Sequence, residues 1–180
     1  MTRYRFYTAT TLDGFLADEH DSLDWLLSQP TGDDSILPME RFMEDVGAIV
    51  AGRSTYDWVL EHDDSVEGAW VFTQPTFLFT HREVEAPRGD VRAVHGDPAQ
   101  HRAALEEAAG GKDVWIVGGG DLAADFARAG MLDELFVSFA PVTLGAGKPL
   151  LGGRFALELL EHGTNGALLE ARYRVLGPLE

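Results

Sequence analysis

A chain of 180 residues, 45% apolar and 24% charged, is long enough for one domain with a full core and too apolar for a disordered segment. Its net charge is −16, of which fifteen acids against two bases between Asp13 and Glu67 supply −13, and no cluster of Lys and Arg is present to replace the counterions of a nucleic acid. The lack of cysteine excludes disulfides, a thiolate nucleophile and a zinc–thiolate site, while the polar start MTRYRFYTATTL and the absence of a long apolar run set the expectation of a cytoplasmic protein with no membrane span.

Taken in chain order, strand and helix signals alternate, which predicts a mostly parallel sheet covered on both faces. Arg3 to Ala9, alternating basic and aromatic residues, reads as the first strand. Asp18 to Asp34 reads as an acidic loop whose strongly apolar cluster is Trp25, Leu26 and Leu27. Ile36 to Asp45 carries apolar residues at helical spacing, GAIVA at 47–51 is a short buried strand, and a helix restarts from Ser54 to Leu60. TFLFT (76–80) and VRAVH (91–95) are two more strands. The next helix has its signals in agreement: Asp97 as cap, Pro98 in the first turn, Gln100 at the reciprocal capping position and Gly110 at the end. VWIV (114–117) is a buried strand running into Gly118–Gly120 and a helix that ends at Gly130. LFVSFA (135–140) is a strand, and Phe155–Glu161 with Ala167–Leu176 reads as a closing antiparallel hairpin.

Three short stretches carry candidate chemistry. In VWIVGGGD the glycines allow a pyrophosphate to approach the backbone, and the helix start offers N–H donors and a favourable dipole. The same run also reads as a plain tight turn, and it is not the G-x-G-x-x-G fingerprint. In GRSTY (52–56) a glycine leads out of a strand into Arg53, Ser54 and Thr55, suited to phosphate groups or equally to an ordinary helix cap beside a surface arginine. Thr80, His81 and Arg82 end the TFLFT strand and together suit a phosphate monoester, although each alone reads as a loop residue. All three follow the carboxyl ends of predicted strands, where α/β sheets bind ligands. The six histidines show no metal-ligand spacing, so no metal is expected, and no G-x-S-x-G elbow supports a hydrolase.

TLDGFLA (11–17), AIVAGRSTY (48–56), Thr80–Arg82, VWIVGGGD (114–121) and DELFVSFAPVTLGAGKPLL (133–151) resemble, in order and spacing, the dihydrofolate-reductase-like superfamily. Within it they are most similar to the RibD carboxyl-terminal reductase domain of riboflavin biosynthesis. The resemblance covers nearly the whole chain and implies one domain over residues 1–180. That domain would be an α/β, three-layer α/β/α fold with a mostly parallel mixed central sheet and a C-terminal antiparallel hairpin.

It further implies an NADPH-dependent oxidoreductase that passes a hydride to a C=N or C=O of a small heterocycle, pteridine-like or ribosylaminopyrimidine-like. By matching position, Gly52, Arg53, Ser54 and Thr55 would hold the adenosine phosphates, and Thr80, His81 and Arg82 the 2′-phosphate. Val117, Gly118, Gly119, Gly120, Asp121 and Leu122 would form the pyrophosphate and nicotinamide-side loop. Ala9, Leu16 and Ala17 would flank the nicotinamide, Thr8 and Ser138 the substrate ring, and 18–25 would be a lid placing Trp25 near substrate.

Two departures stand out. No carboxylate is clearly equivalent to the pterin-binding acid of dihydrofolate reductases, which leaves Asp34 and Glu40, or water, as proton donors. Where riboflavin-pathway reductases carry an Asp-Pro-x-Leu-Thr segment this chain has Glu61, His62, Asp63 and Asp64, an acidic patch that repels a phosphate. Two other functions remain open at this point: a non-catalytic NADPH- or ligand-binding module on the same fold, and an interaction protein whose acidic face recruits a basic partner. A homodimer burying an apolar patch near Pro141–Leu151 is expected, with the acidic faces outward.

Overall fold

A computed structural model describes residues 1–62, 70–84 and 89–179. Asp63, Asp64 and Glu67 of the acidic region lie outside the described residues. In chain order the elements are β1 (Tyr4–Thr11), β2 (Phe15–Ala17), α1 (Asp24–Leu27), α2 (Met39–Glu44), β3 (Val46–Gly52), α3 (Arg53–His62), β4 (Thr76–Phe79) and β5 (Val91–Val94). A 3-10 turn (Pro98–His101) then runs into α4 (Arg102–Ala109), followed by β6 (Asp113–Gly118), α5 (Gly120–Arg128), β7 (Glu134–Ala140), β8 (Lys148–Pro149), β9 (Phe155–Asn165) and β10 (Leu168–Pro178).

Among the described residues eight strands form one sheet in the order β5-β4-β3-β6-β1-β7-β10-β9. The six from β5 to β7 are parallel, and the β9–β10 hairpin adds antiparallel to β7. The continuous apolar runs of β3 and β6 follow from this position. Ala48, Ile49, Val50, Ala51, Val114 and Ile116 are fully buried because helices cover both sheet faces. On one face α4 and α5 contribute Leu105, Ala109, Ala123, Phe126 and Ala127, which pack on Tyr4, Phe6 and Val137. On the other, Phe42 of α2 and Tyr56 of α3 pack on Ile49, Leu78 and Trp115. The result is a three-layer α/β/α architecture with a C-terminal antiparallel hairpin, as expected from sequence.

The Asp97 cap and the glycine stops operate as read, whereas among the described residues Gln100 makes no reciprocal side-chain bond to the cap. The Asp97 carboxylate accepts from the Ala99 N–H at 2.8 Å, and Gly110 and Gly130 end their helices at φ +59° and +63°, a left-handed geometry that favours glycine. Two boundaries differ. The helix predicted from Ile36 begins only at Met39, because Pro38 is extended at ψ 145° and its missing N–H suits the helix entrance. The acidic loop contains the single helical turn α1, which forms around the buried Trp25. The short β2–β8 ladder escaped the sequence reading, since strands of three and two residues carry no periodicity.

Candidate functional site

The carboxyl ends of β1, β3 and β6 open into one cleft of about 440 Å³. Its walls are Thr8 and Ala9 from β1, Leu16 and Ala17 from β2, Gly52 at the end of β3, and Arg53, Ser54, Thr55 and Trp58 from α3. Val117, Gly118, Gly119, Gly120, Asp121 and Leu122, beside β3, and Asp21, Leu23, Leu26, Lys148 and Pro149 complete the lining. The start of α3 and the start of α5 therefore meet at the same space, and both present N–H groups with the positive end of a helix dipole. The whole glycine stretch, the GRST stretch and the β1–β2 residues singled out by sequence come together here.

The three glycines are not equivalent. Gly119 has an extended backbone (φ −88°, ψ −174°), and nothing lies within 4 Å of where a Cβ would stand. At Gly120 a Cβ would collide with the carbonyl oxygens of Pro149 and Leu150. At Gly118 it would press on the Thr55 hydroxyl at 3.1 Å. Gly120 thus permits β8 to close over α5, and Gly119 leaves its open side unfilled.

Thr80, His81 and Arg82 line a second pocket with Glu83, Val84, Ala93, Val94 and His95, at the carboxyl ends of β4 and β5. The Thr80 hydroxyl accepts the Arg82 N–H at 3.1 Å and shapes that turn. Arg53 lines the cleft and reaches Glu83, a residue of the second pocket. Its Nε donates to both Asp57 carboxylate oxygens at 2.7 and 2.8 Å, and its Nη1 donates to the Glu83 carbonyl at 3.3 Å. The guanidinium is thereby held in a fixed orientation before any ligand arrives.

Four other expected site residues stand outside the cleft lining. Trp25 is 8% exposed and packs with Ala140 and Leu168, and its neighbours Leu23 and Leu26 form the wall instead. Its indole N–H is buried without a hydrogen-bond partner among the described residues. Ser138 is buried on β7, in register with Ala9. Asp34 is exposed and accepts from the Thr164 hydroxyl and the Gly166 N–H, both at 3.2 Å, so it anchors its loop to the β9–β10 turn. Glu40 is exposed on α2.

A carboxylate that sequence reasoning missed lies deeper. Glu170 on β10 is 1% exposed and sits opposite Ser138 across the ladder. It accepts from the Ser35 hydroxyl at 3.0 and 2.9 Å and from the Ile36 N–H at 2.9 Å, with Ser138 Oγ at 3.5 Å. The available signal was an acid at an inward-facing strand position, two residues from Leu168. Nearby, burial first and then Glu170 and Glu40 push the Tyr7 hydroxyl up to about 12, so it stays a neutral donor to the Leu37 carbonyl at 2.9 Å. Together these bonds hold residues 35–37 against the sheet.

The end of β1 is fastened to the 144–145 loop by Asp13. Its carboxylate accepts from the Thr11 hydroxyl at 2.6 Å, the Gly145 N–H at 2.7 Å and the Leu144 N–H at 3.1 Å. Those bonds, the Thr11 hydroxyl foremost, hold its pKa below the ordinary carboxylate value. A depressed folded-state pKa means the clasp is intact at neutral pH and opens as pH falls below the ordinary carboxylate range. Asp13→Ala should therefore speed amide hydrogen exchange at Leu144 and Gly145 while leaving β1 and β7 protected. Unchanged exchange in the loop would show that Asp13 does not hold it. Lys148 Nζ and Asp21 Oδ1, 3.6 Å apart, form an exposed ion pair in the cleft lining, a contact of small worth in solvent.

Among the described residues no group of three His, Asp or Glu side chains is placed to hold a metal, and no helix is long and apolar enough to cross a membrane. The uncharacterised protein YwjB of Bacillus subtilis (strain 168) is 31% identical over 146 residues, covering 80% of this chain and 79% of that protein. A structure solved as a candidate riboflavin biosynthesis protein of Shewanella sp. PV-4 superposes with TM-score 0.80 at 29% identity, covering 97% of this chain and 99% of that one. Dihydrofolate reductase of Enterococcus faecalis, solved as a complex with NADP(H), shares the fold at TM-score 0.57 and 14% identity, covering 97% and 96% of the two chains. Residues 5–167 match the family described as RibD C-terminal domain, and the chain belongs to that family.

Proposed function

We propose that residues 1–180 act as one NADPH-dependent reductase domain that delivers a hydride to a C=N or C=O carbon of a small heterocycle. The observation that carries this reading is the meeting of two helix starts, α3 and α5, with the unfilled side of Gly119 in a single cleft. Family membership and the shared fold of a reductase solved with NADP(H) support it. The residues present fit such a cofactor. N–H groups at the starts of α3 and α5 suit its pyrophosphate, and the oriented Arg53 fork, with Thr80, His81 and Arg82 in the adjoining pocket, suits a 2′-phosphate.

Bound NADPH supplies a hydride from the nicotinamide. The chain's part is to flank that ring with Ala9, Leu16 and Ala17, to set the acceptor carbon at about 3–3.5 Å, and to shut out bulk water with α1 and β8. Because Asp34 and Glu40 stand outside the cleft lining, water is the proton source in this reading.

NADPH at a hundred times its Kd should stabilise the protein by about 2.7 kcal/mol, read as a raised melting temperature. Arg53→Ala should weaken NADPH by about 1.5–3 kcal/mol, the worth of a charge-assisted contact, and barely change NADH. Equal losses for both cofactors would remove Arg53 from the 2′-phosphate site.

We also propose a homodimer, centred on the β9–β10 hairpin rather than on Pro141–Leu151. In the 141–151 segment Val142 and Leu144 pack beside Trp25, and Leu150 and Leu151 pack against the main core. Among the described residues, five of the nine exposed large apolar residues fall instead on the hairpin and just after it, Leu157, Leu159, Leu169, Leu176 and Leu179, the others being Met1, Leu12, Leu27 and Met39. The hairpin from Phe155 to Pro178 holds three acids and two bases, a net of only −1 in a chain of −16, so a second copy can approach it without like-charge repulsion. Light scattering should give twice 19.7 kDa, and Leu157→Glu with Leu159→Glu should return the mass to 19.7 kDa. A wild-type mass of 19.7 kDa at all micromolar concentrations would exclude the dimer.

A further inference from the structure

Apart from the glycine loop, the helix starts and the residues flanking the nicotinamide, the cleft lining consists of Thr8, Leu23, Leu26, Trp58, Val117 and Pro149, with Asp21 and Lys148 as its charged members. Among the described residues the lining has two cations: Arg53, which the cofactor reading assigns to the 2′-phosphate, and Lys148, which stands 3.6 Å from Asp21. Asp21 and Asp121 bring two carboxylates to the same lining. The segments that supply these walls reinforce the deficit. Phe6 to Glu40 and Ser54 to His81 contain no Lys or Arg at all, while carrying eight and five acids respectively. Among the described residues away from the cofactor, a phosphate or carboxylate on the substrate would lose its hydration and find hydroxyls, apolar carbons, like charges and one cation already paired with an acid in return.

The walls offer a different kind of recognition. Trp58 stacks on the His62 ring at 4.4 Å and 7°, which braces the indole as a rigid aromatic surface in the cleft. Leu23 and Leu26 present aliphatic surface from α1, and the Thr8 hydroxyl already donates to the Ala9 carbonyl at 3.3 Å, so the polar demand here is small. Pockets with apolar walls and few polar groups select flat rings by stacking and shape.

We infer that the substrate of this cleft is a flat, uncharged ring system that bears no phosphate, seated against Trp58, Leu23 and Leu26. This rests on the reading that NADPH fills the glycine-lined part of the cleft. It separates the chain from reductases whose pyrimidine substrate carries a ribose phosphate, and it places any phosphate recognition on the cofactor alone.

The test uses the full chain saturated with NADP⁺, which occupies the phosphate-binding loops without allowing turnover. Lumazine, uridine and uridine 5′-monophosphate are then titrated by calorimetry; the last two differ only in the phosphate. Lumazine should bind, uridine should bind at least roughly tenfold more tightly than its monophosphate, and Trp58→Ala should weaken lumazine by roughly tenfold, the scale of one lost ring stack. NADP⁺ affinity of the variant is measured alongside to show an intact cleft. Tighter or equal binding of the monophosphate, or no binding of any ring to the NADP⁺ complex at millimolar concentration, overturns the inference alone. Failure of NADP⁺ itself to bind overturns the cofactor reading and the inference with it.

Discussion

Gly119→Val should weaken NADPH binding by at least about a hundredfold, roughly 2.7 kcal/mol, while the free protein keeps most of its stability. The backbone at Gly119 is extended, a conformation that valine adopts readily, and no atom lies within 4 Å of the new Cβ. The cost to the empty protein is then about 1 kcal/mol, the difference between glycine and a branched residue at a helix N-cap. The methyl groups would instead fill the space between the starts of α3 and α5, where the reading places the pyrophosphate and nicotinamide. Gly120→Val is the matched control with the opposite signature. Its side chain would drive into the carbonyls of Pro149 and Leu150, so the fold itself should lose about 1–3 kcal/mol or more. Calorimetric NADPH titration with a melting curve of each variant separates the two. Undiminished NADPH affinity in Gly119→Val would reduce the glycine run to a turn.

Replacing Glu170 should be the most damaging single change away from the glycine loop. Glu170→Leu leaves the Ile36 N–H and the Ser35 hydroxyl without their acceptor, at a cost of about 1–3 kcal/mol for each buried donor. The expected sum is about 3 kcal/mol, seen as a lower urea midpoint at an unchanged slope. Glu170→Gln retains one acceptor oxygen and should lose about half as much. The opposing effect is real, because a buried carboxylate is costly to desolvate and its replacement by an apolar residue of similar size is sometimes neutral. Here two donors are fixed on the oxygens, and they belong to the loop that covers the sheet beside Ala9 and Ser138. A leucine variant as stable as the wild type would mean that desolvation wins and that these bonds contribute nothing net.

The surface charge also distinguishes the hairpin from the rest of the chain. Fifteen acids against two bases lie between Asp13 and Glu67 in the sequence, whereas Phe155 to Pro178 is close to neutral and carries exposed leucines. The same chain thus combines an acidic segment with one surface suited to a second copy, and neither property depends on the cofactor.

Local signals were enough for much of this protein. The apolar runs of β3 and β6, the Asp97 cap and the left-handed glycines at 110 and 130 rest on neighbours within a few residues, and the structure places each as the sequence predicts, while the stretches at 52–55 and 118–122 lie together in one cleft. The choice among acids was of another kind. Asp34 and Glu170 are both carboxylates, yet Asp34 is drawn outward to the Gly166 N–H, 132 positions away, while Glu170 is buried against Ser35, 135 positions away. The orientation of Arg53 shows the same division. Asp57, one helical turn on, was visible as an i,i+4 partner, whereas the Glu83 carbonyl comes from across the β3–β4 crossover. Burial and hydrogen bonding of a polar side chain depend on which distant strand lies opposite, and periodicity along the chain holds no record of that. Cleft walls, clasps and exposed apolar surface are products of strand order, so they were settled only when the sheet closed.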